Sequence, residues 1–73
     1  MCLGVPGQVV EVREGEAVVD FWGVRRLVKL EILTEPVSPG DYIVDHAGYA
    51  IRRIAPEDVA DTVLMYEAVL AEA

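Results

Sequence analysis

The chain of 73 residues has one cysteine, one histidine and no long apolar run. A single cysteine cannot form a disulfide within the chain, so nothing in the sequence indicates an oxidising compartment. No stretch approaches the roughly 20 apolar residues that span a bilayer, and the N-terminus lacks a basic region followed by a long apolar segment. We therefore expect a cytoplasmic protein with no membrane partner.

Basic residues are also few. Six Lys and Arg stand against 13 Asp and Glu, and the formal net charge of −7 repels phosphate backbones. A nucleic-acid-binding barrel would need a basic groove with stacking aromatics, whereas four of the arginines form only two small pairs at 25–26 and 52–53. Apolar residues are plentiful at 53%, which favours an ordered fold. We expect one domain over residues 1–73 and no nucleic-acid partner.

Short apolar segments separated by turn residues predict a mainly β fold. We expect strands at 8–12, 17–21, 24–30, 41–46 and 49–54. Trp22-Gly23 and Ala47-Gly48 are predicted hairpin turns, and the Pro- and Gly-rich segment 35–40 is a predicted loop. Five short strands favour a small barrel, because closure removes exposed strand edges. The barrel would occupy residues 1–54, including an N-terminal loop.

Residues 55–73 change to a helical period. Pro56 suits the first turn of a helix. Val59, Val63, Tyr66 and Leu70 recur at helical spacing and form an apolar stripe. This C-terminal helix either packs on the barrel or offers its apolar face to a partner protein, and the sequence leaves both open.

The N-terminal segment MCLGVPG is the first candidate site. Methionine removal would leave Cys2 with a free α-amino group, and a nearby ammonium favours the reactive thiolate. Gly4, Pro6 and Gly7 predict a shaped loop, in which the glycines allow unusual backbone angles. On composition alone, Cys2 could equally be an incidental small residue.

His46, at the end of the fourth predicted strand, is the natural companion of Cys2. A thiolate and an imidazole suit iron, zinc or copper. Two ligands do not complete a four-coordinate site, so a partner or exogenous ligands would have to do so. His46 could also be an ordinary surface or core histidine. Trp22 is likewise either buried in the packing or a contact residue.

Three stretches carry a family resemblance: MCLGVPGQVV, AVVDFWGVRRLV and PGDYIVDHAGYAI. In this order and spacing, and in a chain of this size, they resemble the HypC/HupF family of hydrogenase maturation chaperones. The resemblance covers nearly the whole chain. It implies an OB-like barrel with a helical C-terminus, and a protein that is not an enzyme. Trp22 departs from the family, which commonly has a small residue there.

The resemblance also implies partners and a cargo. Family members pair with the iron–sulfur protein HypD to scaffold an Fe(CN)2CO unit, and deliver it to the large-subunit precursor of a nickel–iron hydrogenase. Cys2 would be a thiolate ligand, and His46 a second ligand or a proton-handling neighbour. Iron would be shared with HypD and not tightly bound by the isolated chain. The partner-binding segment maps onto Cys2, Leu3, Gly4, Val5, Pro6 and Gly7, with His46 beside it.

Two rival functions stay open at this point. A Cys–His thiol enzyme would need the pair within hydrogen-bonding reach and a pocket beside it, and few polar residues are available to build one. A small protein–protein adaptor with no metal role would use only the C-terminal helix.

Overall fold

The computed structural model describes residues 4–72, where five β-strands precede one α-helix. The strands are β1 (Val5–Arg13), β2 (Glu16–Phe21), β3 (Val24–Lys29), β4 (Tyr42–His46) and β5 (Tyr49–Ile54). A 3-10 turn at Pro56–Asp58 leads into the helix α1 (Val59–Glu72). The predicted mainly β fold with a C-terminal helix is confirmed. The strand bounds agree closely with the prediction, except that β1 begins three residues earlier.

The strands close into a barrel in the order β1-β2-β3-β5-β4, with β4 returning to β1. All neighbours are antiparallel except β3 and β5, which run parallel and share one bridge between Lys29 and Tyr49. The Lys29 amide donates a hydrogen bond of 2.9 Å to the Gly48 carbonyl at this junction. The result is an OB-like barrel of the predicted kind.

The core lies inside the barrel and is built from small and β-branched side chains. Among the residues that the structure describes, eight Ala, Val and Ile side chains are buried: Val9, Ala17, Val19, Val28, Ile43, Val44, Ala50 and Ile54. Phe21, Leu30, Leu33 and Val37 pack against this cluster from the barrel ends and the loop after β3. Inward-facing side chains of this kind fill the interior of a small barrel.

Two hairpin turns have the same unusual backbone. Trp22 and Gly23 have φ of 52° and 94°, and Ala47 and Gly48 have φ of 55° and 91°. Two-residue turns with positive φ at both positions are type I′, whose twist matches that of the strands they join. Both predicted turns are confirmed, and both place a residue other than glycine in the left-handed region.

The helix α1 is attached to the barrel lightly. None of residues 59–71 is buried, although Val59, Val63 and Tyr66 of the predicted stripe are half-buried. Leu70, predicted in the same stripe, is 52% exposed. Trp22 reaches α1 from the β2–β3 turn: its ring stacks on Tyr66 with centroids 5.5 Å apart, and its indole N–H donates a 2.9 Å hydrogen bond to Glu67. Trp22 is therefore a contact residue within the chain.

Candidate functional site at the N-terminal edge of the barrel

The segment expected to be a loop is largely a strand. β1 begins at Val5, and Val5, Pro6 and Gly7 lie opposite Asp45, Val44 and Ile43 of β4. The prediction of a loop over 3–7 is thus wrong for Val5–Gly7. Pro6 is tolerated because pairing of β1 with β2 begins only at Gln8, so β1 is paired on one side here. Cys2 and Leu3 lie outside the described residues.

The two glycines of this segment, Gly4 and Gly7, leave room for side chains of the neighbouring strands. A Cβ on Gly4 would collide with the side chain of Val44, and one on Gly7 would lie 2.5 Å from both Val19 Cγ1 and Phe21 Cε1. Gly7 has no positive φ. The expectation that Gly7 serves an unusual backbone angle is therefore wrong: Gly7 leaves room for the side chains of Val19 and Phe21 of β2, and Pro6 and Gly7 are both buried.

His46 ends β4 at the same edge of the barrel. It lies opposite Tyr49 in the β4–β5 hairpin and is half-buried. Because Val5 is opposite Asp45, the start of the described chain lies beside the last residues of β4. A Cβ on Gly4 would be 3.3 Å from the Asp45 carbonyl oxygen. The structure thus brings Gly4 and Val5 of the candidate segment close to His46.

Asp45, next to His46, is not among the candidate residues selected from the sequence. Its Oδ1 is buried and has no hydrogen-bond partner among the described residues. Burial raises the pKa of the Asp45 carboxyl, while the Gly48 amide, His46 and Arg26 act in the opposite direction. The signal in the sequence was an acidic residue inside the otherwise apolar stretch YIVDH. An ionisable group therefore lies directly beside the candidate site.

A groove of about 530 Å³ runs from this edge along α1. We call it the α1 groove, and its lining is Gly4, Pro6, Val44, Ile51, Arg52, Asp58, Asp61, Thr62, Met65, Tyr66 and Val69. Ile51 faces it because the register of β4 and β5 shifts by one residue: Val44 lies opposite Arg52, whereas Asp45 lies opposite Ala50. The groove was not predicted, since a bulge of this kind leaves no clear trace in sequence alternation.

The apolar face of α1 along this groove is open. Met65 is 70% exposed and Val69 51%, and Leu64 and Leu70 nearby are 64% and 52% exposed. The sequence left two roles open for the helix: packing on the barrel, or offering an apolar face to a partner. Packing on the barrel explains only why Val59, Val63 and Tyr66 are apolar, because these are the half-buried apolar residues of α1. Large apolar side chains exposed beside a groove, such as Met65 and Val69, are typical of an interaction site.

Within residues 4–72, no three His, Cys, Asp or Glu side chains cluster in a way that could hold a metal ion. Any metal at His46 therefore needs ligands from outside these residues. A search of the same residues for membrane-crossing helices found none of sufficient length and apolarity.

The chain is thus a small OB-like barrel protein with a groove between the barrel and its C-terminal helix. The chain belongs to the HupF/HypC family, whose model matches residues 1–66. It is 39% identical over 71 residues to the hydrogenase maturation factor HypC of Helicobacter hepaticus, covering 96% of this chain and 83% of that protein.

Two further relatives are also hydrogenase maturation factors HypC. The HypC of Cupriavidus necator is 39% identical over 67 residues, which cover 90% of this chain and 73% of that protein. The HypC of Rhizobium leguminosarum bv. viciae is 39% identical over 66 residues, 89% and 87% of the two chains. Family membership supports a role in hydrogenase maturation, and maturation factors of this kind are consistent with a protein that is not an enzyme.

Proposed function

We propose that this chain is a nickel–iron hydrogenase maturation chaperone that works with HypD in the cytoplasm. Together they scaffold assembly of an Fe(CN)2CO unit, which the chain then delivers to the hydrogenase large-subunit precursor. The iron unit is cargo, held by the Cys2 thiolate with His46 as a second ligand or proton-handling neighbour. The segment Cys2, Leu3, Gly4, Val5, Pro6 and Gly7 contacts the partner.

The observation that carries this proposal is the register of β1 on β4. It fixes Val5 opposite Asp45, next to His46. Cys2 is two residues before Gly4, and a chain extends at most about 3.6 Å per residue, so their α-carbons are within roughly 7 Å. This covalent limit supports a shared site for Cys2 and His46, which are 44 positions apart in sequence.

The chemistry of the two side chains suits a carrier. Low-spin ferrous iron with cyanide and carbon monoxide ligands accepts a soft thiolate, and an imidazole is a common companion. A site with two ligands from this chain stays open, so a partner can complete it and later take the metal away. A thiolate near the start of the chain can also reach into a partner's cleft.

The partner surface in this proposal continues from the N-terminal segment into the α1 groove. Gly4 and Pro6 belong to both, so HypD bound to the segment would also meet Ile51 on β5 and Met65 on α1. The charge pattern is compatible with a protein partner: Arg25 faces Asp20 at 3.6 Å and Arg53 faces Asp41 at 3.5 Å, which leaves less basic surface for phosphates.

The test is anaerobic co-purification with HypD, followed by an iron assay and infrared spectroscopy of the complex. The wild-type complex is expected to contain iron and to show both cyanide and carbonyl stretching bands. Cys2→Ala is expected to lose the bands while the chain stays folded. His46→Gln should weaken or shift them, because it removes the imidazole.

Matched variants separate ligation from structure. Cys2→Ser keeps the size of residue 2 without the soft ligand and should behave like Cys2→Ala. Tyr49→Phe changes the cross-strand neighbour of His46 by one hydroxyl and should leave the bands unchanged. Identical spectra for the wild-type, Cys2→Ala and His46→Gln complexes would contradict the cargo site.

The second candidate function is a protein–protein adaptor with no metal role, and the exposed apolar face of α1 favours it. An adaptor predicts that Cys2→Ala still binds HypD and still supports hydrogenase maturation in cells. The cargo model predicts binding without maturation. The same variant therefore distinguishes the two.

A further inference from the structure

The contact between Trp22 and α1 joins parts of the chain that are far apart in sequence. Trp22 stacks on Tyr66 and donates a hydrogen bond to Glu67, 45 positions away. We call these three side chains the latch. Tyr66 is the one residue of 64–71 that is not exposed, so the latch is a principal contact between the second half of α1 and the barrel.

The backbone at Trp22 argues that the tryptophan is there for this contact. Its φ of 52° lies in the left-handed region, where Asn, Asp and Gly are favoured and a bulky residue is uncommon. A tryptophan is thus a poor choice for the turn itself. Trp22 is 48% exposed and does not pack against the core cluster. An unfavourable turn residue that makes a specific distant contact points to a role for the contact.

Tyr66 connects the latch to the partner surface. It stacks on Trp22 and also lines the α1 groove together with Met65 and Val69. The opposite wall of this groove includes Gly4 and Pro6. The position of Tyr66 therefore sets the distance between the helix wall and the N-terminal segment.

We infer that Trp22 is a positioning residue: through Tyr66 and Glu67 it holds α1 against the barrel and keeps the α1 groove shaped for an apolar segment of the partner. That Trp22 holds α1 rests only on its contacts with Tyr66 and Glu67. The consequence for partner binding rests on the proposed function. Without the latch, only the half-buried side chains at the start of α1, among them Val59 and Val63, would hold the helix to the barrel, and the position of the groove wall formed by Met65, Tyr66 and Val69 would no longer be fixed.

The first test measures α1 in the isolated chain. Trp22→Asn creates an Asn-Gly pair, the preferred type I′ turn, so it deletes the latch without weakening the hairpin. Amide hydrogen exchange in the second half of α1 is expected to accelerate about tenfold, from loss of one aromatic stack and one hydrogen bond. The amides of the barrel strands should keep the same ranking of protection against exchange as in the wild type. Unchanged exchange rates in α1 would contradict the inference that the latch holds the helix to the barrel.

Three further variants make this test specific. Ala47→Asn places the same residue in the other type I′ turn, away from the latch, and should leave α1 exchange unchanged. Trp22→Phe keeps a ring for stacking and should restore most of the protection. Glu67→Gln keeps an acceptor for the indole N–H and should match the wild type. Equal acceleration in Ala47→Asn would show a general loss of stability and overturn the assignment.

The second test measures affinity for purified HypD. If the wild type binds, Trp22→Asn is expected to raise Kd about threefold to tenfold and Trp22→Phe to recover most of it. If the wild type binds and Trp22→Asn has the same Kd although its α1 amides exchange faster, then Trp22 does not position the groove for the partner. No binding by the wild type would refute the proposed partner, whereas the holding of α1 would still be decided by exchange.

Discussion

The barrel and the helix of this small protein are built on opposite principles. Each barrel strand is paired on two sides, and all eight buried apolar side chains belong to the strands. Residues 59–71 of the helix contribute none, and Leu64, Met65, Val69 and Leu70 are each more than half exposed. The difference indicates that folding free energy resides in the barrel, while α1 is free to keep an apolar surface for a partner.

The size of the chain makes this division reasonable. A domain near 70 residues buries only about 60% of the surface that its unfolded chain exposes, so its stability is marginal. Closing the sheet satisfies the backbone groups of the strands without help from the helix. An apolar helix face can then stay open without unfolding the domain.

Ile43→Ala gives the largest effect if stability resides in the barrel. Ile43 is fully buried in the core cluster, and truncating such a side chain typically costs about 3–4 kcal/mol of unfolding free energy through lost transfer energy and a cavity. Urea denaturation measures this. Ile32→Ala is the matched control, because Ile32 is 57% exposed and should cost under about 0.5 kcal/mol. Equal losses at the two positions would contradict the comparison.

Gly7→Ala extends the same comparison to the N-terminal edge. The added methyl would meet Val19 Cγ1 and Phe21 Cε1 at 2.5 Å, and overpacking of this kind costs about 1–3 kcal/mol. The loss should shrink in a Val19→Ala background, because part of the obstruction is gone. Gly7 has no positive φ, so Ala would otherwise stabilise the chain slightly through the unfolded state. A stabilised Gly7→Ala variant would show that the edge is loosely packed.

The barrel could be predicted from sequence because its signals are local. Alternating Val-rich segments and the turns at Trp22-Gly23 and Ala47-Gly48 were sufficient for five strands, and the resemblance supplied the OB-like topology. The start of β1 could not be predicted, since Pro6 and Gly7 favour loops locally. Their strand conformation depends on long-range pairing with Val44 and Ile43.

The candidate site was only partly accessible from sequence. His46 was chosen because it is the only histidine, and its closeness to Gly4 follows from a register that no local pattern encodes. The α1 groove depends on the bulge at Ile51 and on the stacking of Trp22 with Tyr66. Both are tertiary features. The buried Oδ1 of Asp45 was missed because strand alternation placed its side chain on the face away from His46.

Met65→Glu tests the helix side of the comparison. Met65 is 70% exposed and lines the α1 groove, so a charge there should change unfolding free energy by less than about 0.5 kcal/mol. Affinity for HypD should fall about tenfold, because an unpaired carboxylate would be desolvated in the interface. Leu64→Glu is the matched control: Leu64 is similarly exposed but does not line the groove. Similar weakening by both variants would exclude the groove as the specific contact.

Asp45→Asn should give the smallest effect and a distinctive pH dependence. Burial raises the pKa of Asp45 in the folded chain above its ordinary value of 3.8. At a pH between 3.8 and this raised pKa, the folded chain therefore binds more protons than the unfolded chain. The contribution of Asp45 to stability therefore falls as pH rises through that window, and stays lower at neutral pH. Asn removes this dependence. The urea midpoint of Asp45→Asn minus that of the wild type should therefore be larger at neutral pH than below pH 3.8. Glu31→Gln, at an exposed site, accounts for the loss of one negative charge. A difference between Asp45→Asn and wild type that is the same at both pH values would mean that the Asp45 carboxyl ionises without cost in the folded barrel.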